Sequence, residues 1–258
     1  MNSVLPVILL LLYAVLPGCT NTKRVIYFNN IQDTVMTSDP GNLDPVIRKG
    51  DILSISVTSA NPEASAPFNS PNISSSSFRN SQPGTLPDGY LVQQDGTIQF
   101  PVLGNLTAAG ISKKELKDNI QRQLDQRKLL VDPIVSIRYL NFRVTVLGEV
   151  ARPAVVNVPS EQITLFEALG LAGDLTIYAK RDNVLLIREE DGKKIIKRLN
   201  LNTSDILNSP YYHLKTNDIV YVEPGKSKVA SVSQTRQLLP ILISVLSLAV
   251  IIIDRTVE

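Results

Sequence analysis

Apolar and polar residues alternate in short segments along most of this 258-residue chain, and both ends carry continuous apolar runs. Alternation with a period of two predicts half-buried β-strands. The alternating segments are 51–57, 90–94, 97–102, 134–140, 142–150, 153–158, 183–189, 194–201 and 218–222. Two capping boxes, Ser112 to Glu115 and Thr164 to Glu167, predict short helices that begin at these points. The pattern therefore predicts an α+β fold.

Turn residues separate these segments. Asp95-Gly96 is a strong signal for a β-hairpin and would join 90–94 to 97–102. A second hairpin is predicted at Asp191-Gly192. The stretch from Asn61 to Pro87 is rich in Ser and Pro and has few apolar residues, so it can bury little surface. We predict that this stretch is a long mobile loop.

The N-terminal apolar run predicts an export signal. Val4 to Leu16 has the length of a signal-peptide core and is too short to span a bilayer. Cys19 follows it and is the only cysteine, which excludes a disulfide within the chain. Its position and isolation are typical of a lipid attachment point. The alternative is an ordinary secretory signal, because Met1-Asn2-Ser3 contains no Lys or Arg.

The C-terminal apolar run, Leu238 to Ile253, predicts a membrane helix. As a helix it is about 24 Å long, closer to the ~25 Å apolar band of outer-membrane proteins than to a typical core of ~30 Å. Polar and small residues recur along it at steps of three and four, so they share one helical face. They are Gln237, Pro240, Ser244, Ser247 and Asp254, with Ile251 filling the gap. Either this stripe faces neighbouring helices or a water-filled lumen, or the helix is a single anchor.

The composition between the two ends is that of an ordinary soluble protein. The formal net charge is only +2 and there is no long basic run, so nucleic-acid binding is not expected. His213 is the only histidine, and we interpret it as a surface or packing residue. The sequence contains no cluster with metal-ligand spacing and no phosphate-binding glycine loop. No catalytic residue, metal or cofactor is therefore predicted.

Several segments, in a fixed order, resemble a known family. Arg48 to Leu53, Val92 to Gly104 and Ala109-Gly110-Ile111 are similar to the polysaccharide export domain of Wza-type outer-membrane lipoproteins. Val144 to Pro153, reading VTVLGEVARP, and Thr164 to Thr176, reading TLFEALGLAGDLT, resemble the soluble-ligand-binding β-grasp module that follows in those proteins. The resemblance covers roughly 45–224, between the predicted signal and the predicted membrane helix.

The resemblance implies a domain organisation. It gives a lipoprotein signal peptide at 1–18, an N-terminal tether at 19–42, an export domain at 43–141 that contains the loop 61–87, a β-grasp domain at 142–223, a linker at 224–236, a transmembrane helix at 237–254 and a tail at 255–258. Two departures concern glycine: the module commonly shows Pro-Gly at Pro153-Ala154 and Gly-Gly at Gly173-Asp174. Asp tolerates a positive φ better than most residues, so the change at Asp174 is mild.

The resemblance also implies a function, because proteins of this family form homo-oligomeric rings, octamers by resemblance, with most of their mass in the periplasm. Their C-terminal helices cross the outer membrane together, and capsular or extracellular polysaccharide leaves through the central channel. An inner-membrane polysaccharide co-polymerase docks below. Cys19 would then carry lipid in the outer membrane of a Gram-negative bacterium. Ser244 and Ser247 would face the lumen or pack between helices, with Gln237 and Asp254 near the two interfaces.

Two other functions are compatible with the sequence. The first is a membrane-anchored periplasmic adaptor or glycan-binding scaffold without its own pore, which the single β-grasp module and the nearly uniform apolar tail favour. The second is an envelope enzyme that acts on glycans, since such chemistry usually needs two carboxylates close in space. We do not expect an enzyme, because a lone histidine and scattered carboxylates form no recognisable catalytic pattern.

Overall fold

The computed structural model describes residues 25–36, 46–70, 88–190 and 192–231, together with 238, 240, 241, 243–245, 247, 248 and 252. Within them the structure mixes sheets with a few short helices, which confirms the predicted α+β class. The strands are β1 (Ile52–Thr58), β2 (Tyr90–Leu91), β3 (Thr97–Phe100), β4 (Gly104–Thr107), β5 (Ile134–Tyr139), β6 (Arg143–Gly148), β7 (Ala154–Asn157), β8 (Ile163–Thr164), β9 (Ala179–Glu190), β10 (Lys193–Leu199), β11 (His213–Leu214) and β12 (Ile219–Pro224). The helices are α1 (Pro62–Ser65), α2 (Lys113–Gln126), α3 (Leu165–Leu171) and α4 (Lys226–Ser231).

The first half of the chain is built around β1, the central strand of an antiparallel sheet in the order β2-β1-β5. Leu53, Ile55 and Val57 alternate along β1 and are buried, as a period-two pattern requires. Helix α2 packs against β5. Its buried apolar face consists of Leu116, Ile120 and Leu124.

Both predicted helix starts are confirmed. The Ser112 hydroxyl accepts a hydrogen bond from the Glu115 N–H, and the Glu115 carboxylate accepts one from the Ser112 N–H at 2.7 Å. Thr164 and Glu167 make the same reciprocal pair at the start of α3. Each box therefore satisfies two backbone N–H groups that a helix start otherwise leaves without partners.

The strand pairing predicted around Asp95-Gly96, between 90–94 and 97–102, is wrong. The chain does reverse there, with the Gln93 N–H donating to the Thr97 carbonyl at 2.8 Å. However, β2 pairs with β1, and β3 pairs with β4. The side chains of Tyr90 and Phe100 are buried together, with ring centroids 5.4 Å apart. The turn residues determine the reversal, whereas burial in the core selects the strand partners.

The long mobile loop predicted at 61–87 is wrong for its first part. Residues 62–69 form α1 and a following 3₁₀ helix, and the side chain of Phe68 is buried. The Asn69 amide accepts from the Val57 N–H and donates to the Val57 carbonyl, both at 2.8 Å, so it pairs with the edge of β1 as a neighbouring strand would. Residues 71–87 of the predicted loop lie outside the described residues.

The second half of the chain forms a five-stranded sheet in the order β10-β9-β12-β6-β7, in which β6 and β12 are parallel. Helix α3 contributes Leu165, Ala168 and Leu169 to the core on one face of this sheet. The strand residues that point to the same face are also buried, and they include Val144, Val146, Val184, Leu186, Val220 and Val222. This arrangement leaves the other face of the sheet without a helix against it in the described structure.

Gly148, inside the motif VTVLGEVARP, lies where β6 and β12 approach most closely. Its φ is +90°, and a Cβ added there would lie 2.1 Å from the Val222 carbonyl oxygen. The same oxygen accepts a hydrogen bond from the Glu149 N–H at 2.9 Å. Only glycine fits this position without moving the backbone.

One buried apolar core continues through both halves of the chain. At the junction the rings of Tyr139 and Phe142 meet edge to face with centroids 6.4 Å apart. Glu161 forms an ion pair with Lys113 and also accepts from the Tyr139 N–H at 2.8 Å. Residues from both halves therefore fix the boundary between them.

Two segments predicted as connections are partly folded. Within the predicted tether at 19–42, residues 27–30 pack against the second half of the chain, and within the predicted linker at 224–236 lies helix α4. The described residues of the C-terminal apolar run, which we call the apolar tail, are helical. In the part of the chain that the structure describes, we find no helix with both the length and the apolar character needed to cross a membrane. The transmembrane helix at 237–254 stays a prediction.

Candidate functional site

The two tail serines predicted to face a lumen or a neighbouring helix bond to their own helix. The Ser244 hydroxyl donates to the Pro240 carbonyl at 2.5 Å, and the Ser247 hydroxyl donates to the Ile243 carbonyl at 2.8 Å. Such bonds to the residue four positions earlier satisfy a hydroxyl without an external partner. The described apolar side chains of the tail, including Ile241 at 56% exposure, make no protein contact that would bury them.

Three other predicted site residues, Cys19, Gln237 and Asp254, lie outside the described residues. Among the residues that are described, no group of three or more His, Cys, Asp or Glu side chains could hold a metal ion. His213 lies in β11, where its carbonyl accepts from the Arg188 guanidinium at 3.1 Å and its ring meets Tyr212 edge to face. In this position His213 serves packing.

The face of the five-stranded sheet opposite α3 carries a row of side chains across all five strands, apolar on four of them and threonine on β6. We call it the outer sheet face. In register order the row is Ile196, Ile187, Ile219, Thr145 and Val155. Ile196 is 60% exposed and Val155 is 55% exposed. A second row beside it contains Leu185, Tyr221 and Leu147. A contiguous exposed apolar surface of this kind is typical of a protein-interaction site.

Residues 27–30, which we call the N-terminal strap, form a turn that docks on the second half of the chain through backbone hydrogen bonds. The Phe28 and Asn29 N–H groups donate to the carbonyls of Leu201 and Asn202, at 3.3 and 2.7 Å. The ring of Phe28 also lies 4.9 Å from the ring of Phe166 at the start of α3. Backbone and aromatic contacts together hold the strap in place.

Tyr27 gives the strap an electrostatic anchor. Its hydroxyl donates to the Asp174 carboxylate at 2.5 Å, and its ring lies 5.3 Å from the buried guanidinium of Arg181. Burial, together with the hydrogen bond and negative charge of Asp174, raises the pKa of Tyr27 well above its usual range. Asp174 has a φ of +70°, so the predicted positive φ at this position is confirmed. The strap is therefore fastened by an aspartate that replaces the glycine common in the β-grasp module.

The chain beyond β12 is also fastened to this domain. Lys228 of α4 pairs with the Glu149 carboxylate at 2.7 Å, and the Thr176 hydroxyl donates to the same carboxylate at 2.7 Å. Glu149 is only 6% exposed, and its hydrogen bond from Lys228 lowers its pKa. The Gly225 N–H donates to the Tyr178 carbonyl at 2.7 Å. The start of the segment that leads to the apolar tail is thus held at a defined place.

Both chain ends attach to the same pair of loops, residues 147–152 and 171–178, which we call the junction loops. The loops bond to each other, with the Ala151 N–H donating to the Asp174 carbonyl at 3.0 Å and the Thr176 N–H donating to the Glu149 carbonyl at 3.2 Å. Tyr27 reaches the junction loops through Asp174, and Lys228 reaches them through Glu149. Two motif segments of the sequence therefore form one attachment site for both ends.

Sequence reasoning did not find this site. Tyr27 and Asp174 are 147 positions apart, and Lys228 and Glu149 are 79 positions apart, so no local spacing links them. The useful signal was the apolar run Val25-Ile26-Tyr27-Phe28, which ends in two adjacent aromatic residues within a mostly polar stretch. Two adjacent aromatic residues in a polar segment indicate a docking point rather than a free tether.

Comparison with known proteins accounts for both halves of the fold. Residues 40–140 match the family described as polysaccharide biosynthesis/export protein, and residues 143–197 match the SLBB domain. The chain is 33% identical over 189 residues to the EPS I polysaccharide export outer membrane protein EpsA of Ralstonia solanacearum, a match that covers 71% of this chain and 49% of that protein. It is 37% identical over 134 residues to the EpsA protein of Ralstonia nicotianae, covering 50% of this chain and 34% of that protein.

This chain spans about half the length of the first of these relatives and about a third of the second. The two matched domains occur here in the order that the sequence motifs predict, and the strands and helices described above lie within or beside them. The resemblance stated from the motifs is therefore confirmed. The chain belongs to the polysaccharide biosynthesis/export protein family.

Proposed function

We propose that this chain is a subunit of a homo-oligomeric outer-membrane lipoprotein that exports capsular or extracellular polysaccharide. Membership of the polysaccharide biosynthesis/export family supports the class of cargo. Both relatives are named as polysaccharide export outer membrane proteins, which supports the location. Cys19 carries the lipid, and an inner-membrane polysaccharide co-polymerase delivers the polymer from below.

The physics of export requires several copies of the chain. A polar polymer crosses hydrocarbon only through a closed, water-filled passage, and one tail helix cannot enclose a passage. A ring of copies, eight by family resemblance, places the tail helices side by side. Ser244 and Ser247 then face the lumen or the neighbouring helix, and Gln237 and Asp254 lie near the two membrane interfaces.

The outer sheet face is the observation that carries the proposal of a ring. Its central row runs from Ile196 on one edge strand to Val155 on the other, across four strand spacings of about 4.8 Å each. An apolar surface of this width on a periplasmic domain is stabilised when a partner removes it from water. A second copy of the same chain is the partner that a closed ring supplies at every position.

Electron microscopy of the full-length protein in mild detergent tests this proposal. We expect closed rings from the wild-type protein and their loss in Ile196→Glu, because the charge would be buried at the interface. Val131→Glu is the matched control, since Val131 is 74% exposed and lies in the other half of the chain. Rings that survive Ile196→Glu would contradict the assigned interface, and monomers from the wild-type protein would contradict the ring.

Two cellular experiments test the membrane attachments. Cys19→Ser should release the protein from the outer membrane or leave it unprocessed, and normal lipid labelling of this variant would contradict the lipoprotein assignment. Deletion of 238–258 should leave a folded, lipidated protein that no longer exports polymer. Export that survives the deletion would show that the tail is not the conduit.

The tail serines favour a second candidate, an outer-membrane-anchored periplasmic adaptor or glycan-binding scaffold. Because the Ser244 and Ser247 hydroxyls bond to carbonyls of their own helix, these two side chains can face lipid without an unsatisfied hydroxyl. In this case the helix anchors the domain without lining a pore. Conductance of the purified protein in a planar bilayer distinguishes the two candidates, since only the ring conducts.

A further inference from the structure

The junction loops expose a small apolar surface at the site where both chain ends attach. Leu171 is 60% exposed, Ile177 is 70% exposed and Tyr178 is 38% exposed, all on the segment 171–178. We call these three side chains the junction surface. The Tyr178 carbonyl is bonded to Gly225, so the backbone at this surface is fixed by the chain that continues towards the tail.

The charges around the junction surface are unequal. Arg152 and Lys226 are both exposed. The nearby carboxylates are occupied, because Asp174 accepts from Tyr27 and Glu149 is buried against Lys228. In the sequence, Lys23 and Arg24 lie four and three positions before Tyr27, so the chain segment that leads to the strap carries two further positive charges. This side of the domain therefore presents positive charge beside exposed apolar side chains.

The lengths of the two connecting segments limit how far this site can be from a membrane. Tyr27 lies eight positions after Cys19, and Leu238 lies seven positions after Ser231. Even fully extended, these segments reach only about 28 Å and about 25 Å. If Cys19 and the tail are in the membrane, as the proposed function holds, both short connections hold the junction loops close to its surface.

We propose that the junction surface rests on the bilayer, with Ile177 and Tyr178 in the interfacial layer and Arg152 and Lys226 against anionic lipid headgroups. Tyrosine favours this layer because its ring is apolar and its hydroxyl stays hydrated. Basic side chains near an anionic leaflet are attracted to its negatively charged headgroups. This inference rests on the membrane attachments in the proposed function and adds a third contact, made by the folded domain itself.

Site-directed fluorescence on the full-length protein tests the inference. Cys19 is the only native cysteine, and acylation of its thiol leaves an introduced cysteine as the one reactive site. Ile177→Cys carries an environment-sensitive dye, and Val131→Cys is the matched control on an exposed apolar residue of the other half. Both proteins are reconstituted in vesicles of phosphatidylethanolamine and phosphatidylglycerol. Quenching is then measured with a nitroxide on the lipid headgroup and with iodide in water.

We expect the dye at position 177 to be quenched by the lipid nitroxide several-fold more than the dye at 131, and to be shielded from iodide. In Arg152→Glu/Lys226→Glu the lipid quenching at 177 should fall, whereas Lys114→Glu/Lys117→Glu in α2 should leave it unchanged. Equal lipid quenching at 177 and 131 would overturn the inference. Shielding from iodide without lipid quenching would also overturn it and would assign the surface to a protein neighbour.

The same experiment separates this inference from the proposed function. A protein that does not float with the vesicles lacks the membrane attachments, and the proposed function and the inference then fail together. A protein that floats but shows no lipid quenching at 177 keeps the attachments and loses only the contact by the junction surface. Neither readout depends on ring formation or on the polymer exported.

Discussion

Two buried aspartates, one in each half of the chain, occupy the same turn but have different surroundings. Asp51 precedes β1 and accepts a hydrogen bond from the Arg48 N–H at 2.8 Å. Asp218 precedes β12 and accepts one from the Lys215 N–H, also at 2.8 Å. In each turn the aspartate N–H donates back to the same residue at 3.1 Å. The two halves therefore use one local solution to begin a strand.

The two aspartates differ in the side chains that the fold places beside them. Asp218 is fully buried and receives three hydrogen bonds from the Arg188 guanidinium, at 3.0, 3.2 and 2.6 Å. Asp51 is 2% exposed, and burial outweighs the hydrogen bond and charge of Arg48, raising its pKa to about 6. The comparison teaches that a turn motif fixes backbone geometry, whereas the charge it carries depends on which residue the fold brings opposite.

The largest effect is expected from Asp218→Ala. This variant leaves the Arg188 guanidinium buried without its carboxylate, and removing one member of a buried pair costs about 3–5 kcal/mol. Urea unfolding followed by circular dichroism should show a loss of that size in the free energy of unfolding. Arg188→Met/Asp218→Leu removes both charges and should recover most of the stability. A double variant as unstable as Asp218→Ala would contradict this account.

Asp51 should make the protein less stable as the pH rises. An ion-paired aspartate has the opposite effect, because it makes a protein more stable as the pH rises. A carboxyl whose folded pKa is raised stabilises the protein fully below its unfolded pKa, and this contribution is lost as the pH rises through the folded value. As the pH rises from 3.8 to about 6, the free energy of unfolding should fall by about 3 kcal/mol, at about 1.4 kcal/mol per pH unit. Asp51→Asn should remove this dependence between pH 4 and pH 7.

The measurement is the difference in free energy of unfolding between wild type and Asp51→Asn across that pH range. The difference should shift in favour of the Asn variant as the pH rises, because only the wild type has to bury a charged carboxylate there. Other titrating groups are common to both proteins and cancel. A constant difference would mean that folding does not raise the pKa of Asp51 above its unfolded value.

The capping boxes offer a matched comparison between the two halves. Ser112→Ala and Thr164→Ala each remove the acceptor for an N–H in the first helical turn, so each should cost about 1 kcal/mol. Ser112→Thr and Thr164→Ser keep the acceptor and should cost little. The same unfolding measurement checks all four variants. A much larger loss for one alanine variant would show that its hydroxyl has a role beyond the cap.

The smallest effect on stability is expected at the residue that precedes each aspartate, where the two turns differ in sequence. Gly50 and Asn217 precede the two aspartates with φ values of +84° and +63°. A Cβ at Gly50 would meet no atom within 4 Å, so only the backbone conformation limits substitution. Gly50→Asn should therefore cost about 0.5 kcal/mol or less, and Gly50→Val more than 1 kcal/mol. Equal losses would indicate a contact that the turn geometry does not explain.

The sequence allowed the local elements to be predicted because each depends on residues a few positions apart. The helix starts at Ser112 and Thr164 and the positive φ at Asp174 all follow from short-range hydrogen bonding and backbone sterics. The alternation of apolar and polar residues predicted most strands for the same reason. The hairpin at Asp95-Gly96 failed because its strands take partners from the core, which turn chemistry does not encode.

The candidate site was less predictable than the fold around it. Tail serines could be named from their helical spacing, but their bonds to their own helix follow from backbone geometry that spacing alone does not reveal. The docking of Tyr27 on Asp174 joins residues far apart in the chain, and its strength comes from burial of rings against α3. Sequence patterns carry little information about such long-range pairs.

By itself, the sequence determined where most strands and the two capped helices begin, which family the chain resembles and which ends carry apolar runs, since these depend on composition and on neighbours along the chain. Only the tertiary structure decided that both ends meet at the junction loops and that one sheet face remains largely apolar and uncovered. It also decided that Asp218 forms a buried ion pair with Arg188, whereas burial outweighs the charge of Arg48 at Asp51. The reason is that burial is a property of the whole packed chain, and it selects partners that local chemistry leaves open.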